Sequence, residues 1–220
     1  MNMEAWHTLN IYLHVLSGSI ALLLGSIALL SKKGGKLHRR AGRLFLKVIS
    51  VVIVTGLLGV FIFGRNTFLL VITVLSGYVA YSGFRVLKLK NNQVNITDIL
   101  VGILTLMVLV YFLYYFREIG MIWSPVIIYS TVGALLVVII YDFCKYLIPQ
   151  STYSEKRIWL YEHIYKMTSA FAALLSAFTG TVLDQYQPYS QFLPSVLGIL
   201  IIIGFMIWVT FRPAGAVRRK

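Results

Sequence analysis

Apolar positions in this chain run in long continuous blocks and do not alternate with polar ones. Seven blocks stand out: 9–30, 44–64, 67–84, 99–116, 122–141, 158–183 and 195–211. About 20 consecutive apolar residues are needed for a helix to cross roughly 30 Å of hydrocarbon. Continuous runs suit spanning helices, whereas barrel strands read as alternating patterns. The segment MNMEAWHTLN lacks a basic start, and the first block is too long for a signal-peptide core. The pattern therefore predicts a first spanning helix inserted directly. The connections are short, with no linker or repeat. The expectation is an all-α bundle of seven transmembrane helices over residues 1–220, one integral membrane domain.

Composition agrees. Hydrophobic residues make up 59% of the chain and charged residues 12%, with a mean hydropathy of +0.82. Ordinary soluble domains carry roughly 25% charged residues. The net charge of +13 does not point to nucleic acid, because the basic residues flank apolar blocks in the manner of membrane-edge charge. With the N-terminus outside, 18 of the 20 Lys and Arg fall on the inner side and only Arg65 and Arg117 fall outside. The inner set includes Arg212, Arg218, Arg219 and Lys220. This imbalance predicts an N-out, C-in multi-pass protein of the inner (cytoplasmic) membrane. The segment SKKGGKLHRRAGRLF then becomes a cytoplasmic hairpin, with Lys32, Lys33, Lys36, Arg39, Arg40 and Arg43 facing anionic lipid headgroups. Cys144 is the single cysteine, so an internal disulfide and a CxxC motif are excluded.

Small residues predict where helices meet. Ser17, Gly18, Ala21 and Gly25 mark the first block. Ser169, Ala173 and Ala177 mark the sixth, with Ala172, Ser176 and Gly180 alongside. Ser76, Ala80 and Gly83 mark the third. These three helices are expected to form the tight centre, and the only proline inside a span is expected to be Pro125.

Histidines are the candidate chemistry. His14 shares a helical face, within about 40°, with Gly18, Ala21 and Gly25, so it points into the bundle. His38 and His163 lie at matching depth near the inner surface, where Asp142, Glu162, Arg39, Arg43 and Lys47 could join them. Glu162 and Lys166, four residues apart, read as an exposed pair at headgroup level. His7 reads as interfacial. Haem iron accepts axial histidines from facing helices, so haem b at His38 and His163 is geometrically conceivable, while His14 sits roughly 14 Å away in depth. Zinc is less supported: there is no HExxH, no Cys pair, and carboxylates are expected to be absent from the spans. Walker, GxSxG and GxGxxG motifs are missing as well.

The stretch LHVLSGSIALLLGSIALLSKKGGKLHRRAGRLF resembles the opening of a bacterial group of predicted membrane proteins known only as a domain of unknown function. The matching positions are His14, Gly18, Gly25, Lys33, Gly34, Gly35, His38, Arg39 and Gly42. Gly77, Tyr81, Gly83 and Arg85, and the later His163 and Met167, are similar to that group's later helices. The resemblance implies a membrane class and histidine landmarks, but no activity. A fainter similarity links the same patterns to transmembrane cytochromes b and ferric-reductase-like bundles. Three functional classes follow: a non-catalytic component or partner subunit of a larger membrane complex, a membrane redox protein binding haem or metal through inner-leaflet histidines, and a small transporter or lipid-binding protein with His14 as a proton-sensitive group.

Overall fold

A computed structural model describes residues 2–64, 68–119 and 125–211. Among them, 88% are helical and none is in a strand. The helices are α1 (Met3–Leu30), α2 (Lys36–Phe61), α3 (Phe68–Leu89), α4 (Ile96–Ile119), α5 (Pro125–Cys144), the short α6 (Gln150–Glu155), α7 (Ile158–Val182) and α8 (Tyr189–Thr210). Six of them, α1 to α5 and α8, are long and apolar enough to cross a membrane. This is the architecture of a multi-pass membrane protein. The expected starts of the spans at 67 and 122 lie outside the described residues, as do Arg65, Arg212, Arg218, Arg219 and Lys220.

Several boundaries differ from the apolar blocks. Helix α2 begins at Lys36, eight residues before its apolar block, because Lys and Arg are good helix formers. The turn before it uses Gly34 at φ +74°, where a side chain would be strained. Pro125 opens α5, where its missing N–H costs nothing. Pro194, by contrast, lies inside α8, so the expectation of Pro125 as the only proline within a span is corrected.

Helix α7 is 25 residues long but is not among those six, and buried Glu162 and Lys166 lie on its covered face. It packs on α1, α3, α6 and α8. The expected centre of the first, third and sixth blocks is therefore half right. Helices α3 and α7 do meet closely, whereas α1 lies mainly against α2. Ala21 and Gly25 are buried, but Gly18 is half-buried and faces open space. Ala173 and Ala177 are only half-buried, while Ala172, Ser176 and Gly180 form the covered face of α7. Ser176 Oγ lies 3.0 Å from Ser195 Oγ of α8.

The apolar core fills the space between α3, α4 and α5 with Val71, Val79, Leu109, Phe112, Ile128, Leu135 and Ile139. Leu23 of α1, Leu104 and Met107 of α4 and Leu200 of α8 are exposed on the outside. Such a surface suits lipid and not water.

Candidate functional site

The most unusual feature of the interior is a ring of four charges. Glu162 and Lys166 sit one turn apart on α7, with side chains about 3% and 1% exposed. Asp142 lies in the last turn of α5, and Lys145 follows three residues later. Lys166 Nζ lies 2.5 Å from Asp142 Oδ1 and 2.9 Å from Glu162 Oε2. Lys145 Nζ lies 3.0 Å from Asp142 Oδ1 and 3.5 Å from Glu162 Oε2. Each cation therefore sits between two anions, and the group is neutral overall. An isolated buried charge costs several kcal/mol or more, so only such alternation makes burial tolerable.

Tyrosines complete the ring. Tyr78 of α3 donates to Asp142 Oδ2 at 3.0 Å. Tyr141 and Tyr153 both donate to Glu162 Oε1, at 2.9 and 2.7 Å. Tyr153 belongs to α6 and is fully buried. Burial first, and then the Glu162 charge, push its hydroxyl well above the ordinary tyrosine range, so it remains a donor. Asn92 anchors the connection beneath, donating to the carbonyls of Lys145 at 2.9 Å and Ile148 at 2.6 Å.

One edge of the ring opens on a small cleft of mixed lining between α3, α4 and α5. Tyr78, Tyr81, Ser82, Arg85, Asp98, Asp142, Lys145 and Tyr146 are among its walls. Its volume is about 20 Å³, which is room for about one water. A second ion pair stands at the mouth. Arg85 reaches Asp98 through Nε at 2.8 Å and Nη2 at 3.3 Å, and Tyr81 donates to the same carboxylate at 2.9 Å. Ser82 is 7% exposed, and its hydroxyl has no hydrogen-bond partner among the described residues. Ser17, Ser19, Ser50, Thr55 and Thr105 instead bond the carbonyl four residues back.

These positions correct the sequence expectations. Glu162 and Lys166 are buried rather than exposed at headgroup level. Asp142 and Glu162 place carboxylates within the helical bundle, where none was expected. Arg39, Arg43 and Lys47 are exposed and do not join the carboxylates. The missed signal was the four-residue step Glu162, Lys166, Ala170: a charged pair continued by a small residue on one face belongs to a packed surface.

The histidines occupy three separate places. His14 lies between α1 and α2, with Nδ1 2.9 Å from Thr55 Oγ1. The Thr55 hydroxyl donates to the Val51 carbonyl, so it accepts from His14 Nδ1–H. His38 Nδ1 donates to the Ala28 carbonyl at 2.9 Å, and His163 Nδ1 donates to the Gly83 carbonyl at 3.2 Å. A carbonyl only accepts, so in each neutral ring Nδ1 carries the proton and Nε2 keeps its lone pair. A Cβ on Gly25 would meet the rings of both Phe45 and Phe171. His38 precedes Phe45 by seven residues and His163 precedes Phe171 by eight, which sets both about 10–12 Å toward the same end. His38 and His163 therefore lie toward the same end of the bundle. His7 stacks on Phe63 at 4.8 Å near the opposite end. Among the described residues no group of three or more His, Cys, Asp or Glu is arranged to hold a metal ion.

No family model, curated protein or solved structure matches the chain.

Proposed function

We propose that this protein is a small transporter-class protein of the cytoplasmic membrane, and that the charge ring is its closed cytoplasmic gate. The reading takes α7 as a seventh span, with the N-terminus outside and the C-terminus inside. Two observations support that topology: α7 has the length of its neighbours, and most basic residues gather at one end of the bundle.

The observation that carries the gate is the placement of the ring inside the bundle beside a small cleft walled in part by Tyr81, Ser82, Arg85 and Asp98. Buried ion pairs stabilise a fold poorly compared with apolar packing of the same volume. Ionisable groups within a membrane bundle mark ion and solute pathways. Here two layers of paired charge, Arg85–Asp98 outside and the ring inside, close the space between α3, α4, α5 and α7. The proton-sensitive role expected of His14 moves away from this path. His14 faces α2, whereas the cleft opens on the side of α3 toward α4 and α5.

The test is thiol accessibility. In a Cys144→Ser background, Ser82→Cys is treated with a membrane-impermeant thiol reagent in inside-out vesicles. Labelling of Ser82→Cys, and faster labelling when Lys166→Met opens the ring, is the expected result. An unreactive Ser82→Cys in both backgrounds sinks the gate and favours the alternative of a non-catalytic component of a larger membrane complex, with the ring as a structural clamp.

A second reading has its own observation. His38 and His163 lie toward the same end of the bundle and have unprotonated Nε2 atoms, with each Nδ1–H fixed on a backbone carbonyl. That is the arrangement of histidines that ligate metal, and haem needs only two protein nitrogens. When bound, haem supplies one-electron chemistry. The faint likeness to cytochrome b bundles belongs to this reading.

A further inference from the structure

The first turns of α2 carry a cationic stripe. Lys36, Arg40, Arg43 and Lys47 lie within about 60° of one another around the helix and span about 16 Å along it, with Arg39 at the edge. All five are exposed, as is Lys32 in the preceding turn. None forms an ion pair with a described residue. The opposite face of the same helix is its packed one, with Ala41, Phe45, Ile49 and Val52 buried. The stripe is therefore turned away from the bundle, toward lipid and its headgroups. Exposed Leu37 and Leu44 flank it. Lys33 differs from its neighbours. Its ammonium donates to the carbonyls of Ala28, Leu29 and Ser31 at the end of α1 and lies 4.4 Å above the Phe205 ring.

We infer that the α2 stripe, Lys36, Arg39, Arg40, Arg43 and Lys47 with Lys32, is a docking site for an anionic phospholipid. Charge complementarity carries the assignment: six cations without an acidic partner among the described residues, arrayed from the membrane edge inward, need phosphate to offset their mutual repulsion. The length decides for lipid over a soluble anion. A headgroup phosphate meets the outer residues, while the acyl chains lie along Leu37 and Leu44, and Lys47 reaches back toward the phosphate by snorkelling. The start of α2 adds to this. Gly35 offers no side-chain cap, so the first amides of the helix are turned to the same end as the stripe. Lys33, already satisfied by α1, drops out of the headgroup set expected from the sequence. Lys47 enters it. The inference stands independently of the gate.

The experiment is lipid titration of the detergent-purified full chain, followed by native mass spectrometry. The probes are phosphatidylglycerol, phosphatidylcholine and inorganic phosphate. The site variant is R40Q/R43Q/K47Q; the control, K88Q/K156Q, removes charge from exposed residues at the same end of the bundle. Wild type is expected to retain phosphatidylglycerol over phosphatidylcholine. The site variant should lose that preference by at least about tenfold, at roughly 1 kcal/mol per basic residue. The control should keep it. Should the triple variant fail to fold, K47Q alone is expected to weaken retention by about fivefold on the same scale. Equal retention of both lipids overturns the inference. So does equal loss in the control, which would mean diffuse charge, and so does full displacement of phosphatidylglycerol by inorganic phosphate, which would mean a simple anion site.

Discussion

Lys166 of α7 reaches Asp142 of α5, with Nζ 2.5 Å from Oδ1. The same ammonium holds Glu162 one turn earlier on its own helix, at 2.9 Å. Lys145 repeats the arrangement with the same two carboxylates. The four side chains therefore form a closed loop in which no charge has a single partner. Removing one member leaves its two partners sharing the one that remains.

That topology predicts strong non-additivity. Lys166→Met leaves two carboxylates sharing one lysine inside the bundle. It should lower stability by about 3–5 kcal/mol, the usual consequence of breaking a buried pair. Glu162→Gln with Lys166→Met leaves Asp142 and Lys145 as a neutral pair, so the double variant should lose less than the sum of the singles. Thermal unfolding in detergent of the singles and the double gives the coupling energy. Additive losses would show that the four charges do not act as a unit.

Tyr153 ties α6 into this loop through its 2.7 Å bond to Glu162. In Tyr153→Phe the carboxylate keeps Tyr141 and two lysines, so the ring should survive. The loss is one hydrogen bond to a charged acceptor, about 1.5–3 kcal/mol. Its effect should be local, because α6 is only six residues long. Hydrogen exchange is expected to rise across residues 150–157 and to stay unchanged in α3. Faster exchange throughout α3 and α7 would instead make Tyr153 a keystone of the whole network.

The helical class and the long spans were legible because the bilayer demands apolar length, and length is visible in a sequence. That His38 and His163 lie toward one end was legible for the same reason: residue rise converts directly to position along a helix. The ring was not. Asp142 stands one residue beyond the apolar block ending at 141, and Glu162 with Lys166 looks like any surface pair four residues apart. Whether such a pair faces lipid headgroups or the bundle depends on which neighbour covers it. Helix α3 covers α7 at Gly83, where a Cβ would meet Lys166 Cβ at 2.9 Å and Met167 Sδ at 3.2 Å. That closeness is a tertiary fact, marked locally only by Ala170 four residues after Lys166. The central place of α7 was hidden too, since burial among helices relaxes the need for an apolar surface.

Two glycines of α1 should respond oppositely to alanine. Gly25 is buried against Phe171 and Phe45, and a Cβ there would enter the space of the Phe171 ring. Gly25→Ala forces the ring aside, and overpacking of this kind typically lowers stability by about 1–3 kcal/mol. Gly18 has nothing within 4 Å of a built Cβ. Gly18→Ala gains helix propensity instead, by up to about 1 kcal/mol. Melting temperatures of the two variants in the same detergent decide it. A matching loss in Gly18→Ala would mean that this face is packed against another chain.

The histidine pair yields the remaining prediction. His38 and His163 come from different helices, α2 and α7, and each has its Nδ1–H occupied by a carbonyl. Protein purified from cells supplied with haem precursors should then show a Soret band and sharp bands after reduction with dithionite. Either His38→Ala or His163→Ala should abolish them, since both histidines would hold the haem. His14→Ala should leave them intact, because His14 meets Thr55 of α2, away from both His38 and His163. A spectrum without haem bands, with haem available during expression, removes the redox reading. The two Nδ1–H bonds would then serve as helix-to-helix ties, and each alanine variant should lower the melting temperature without any spectral change.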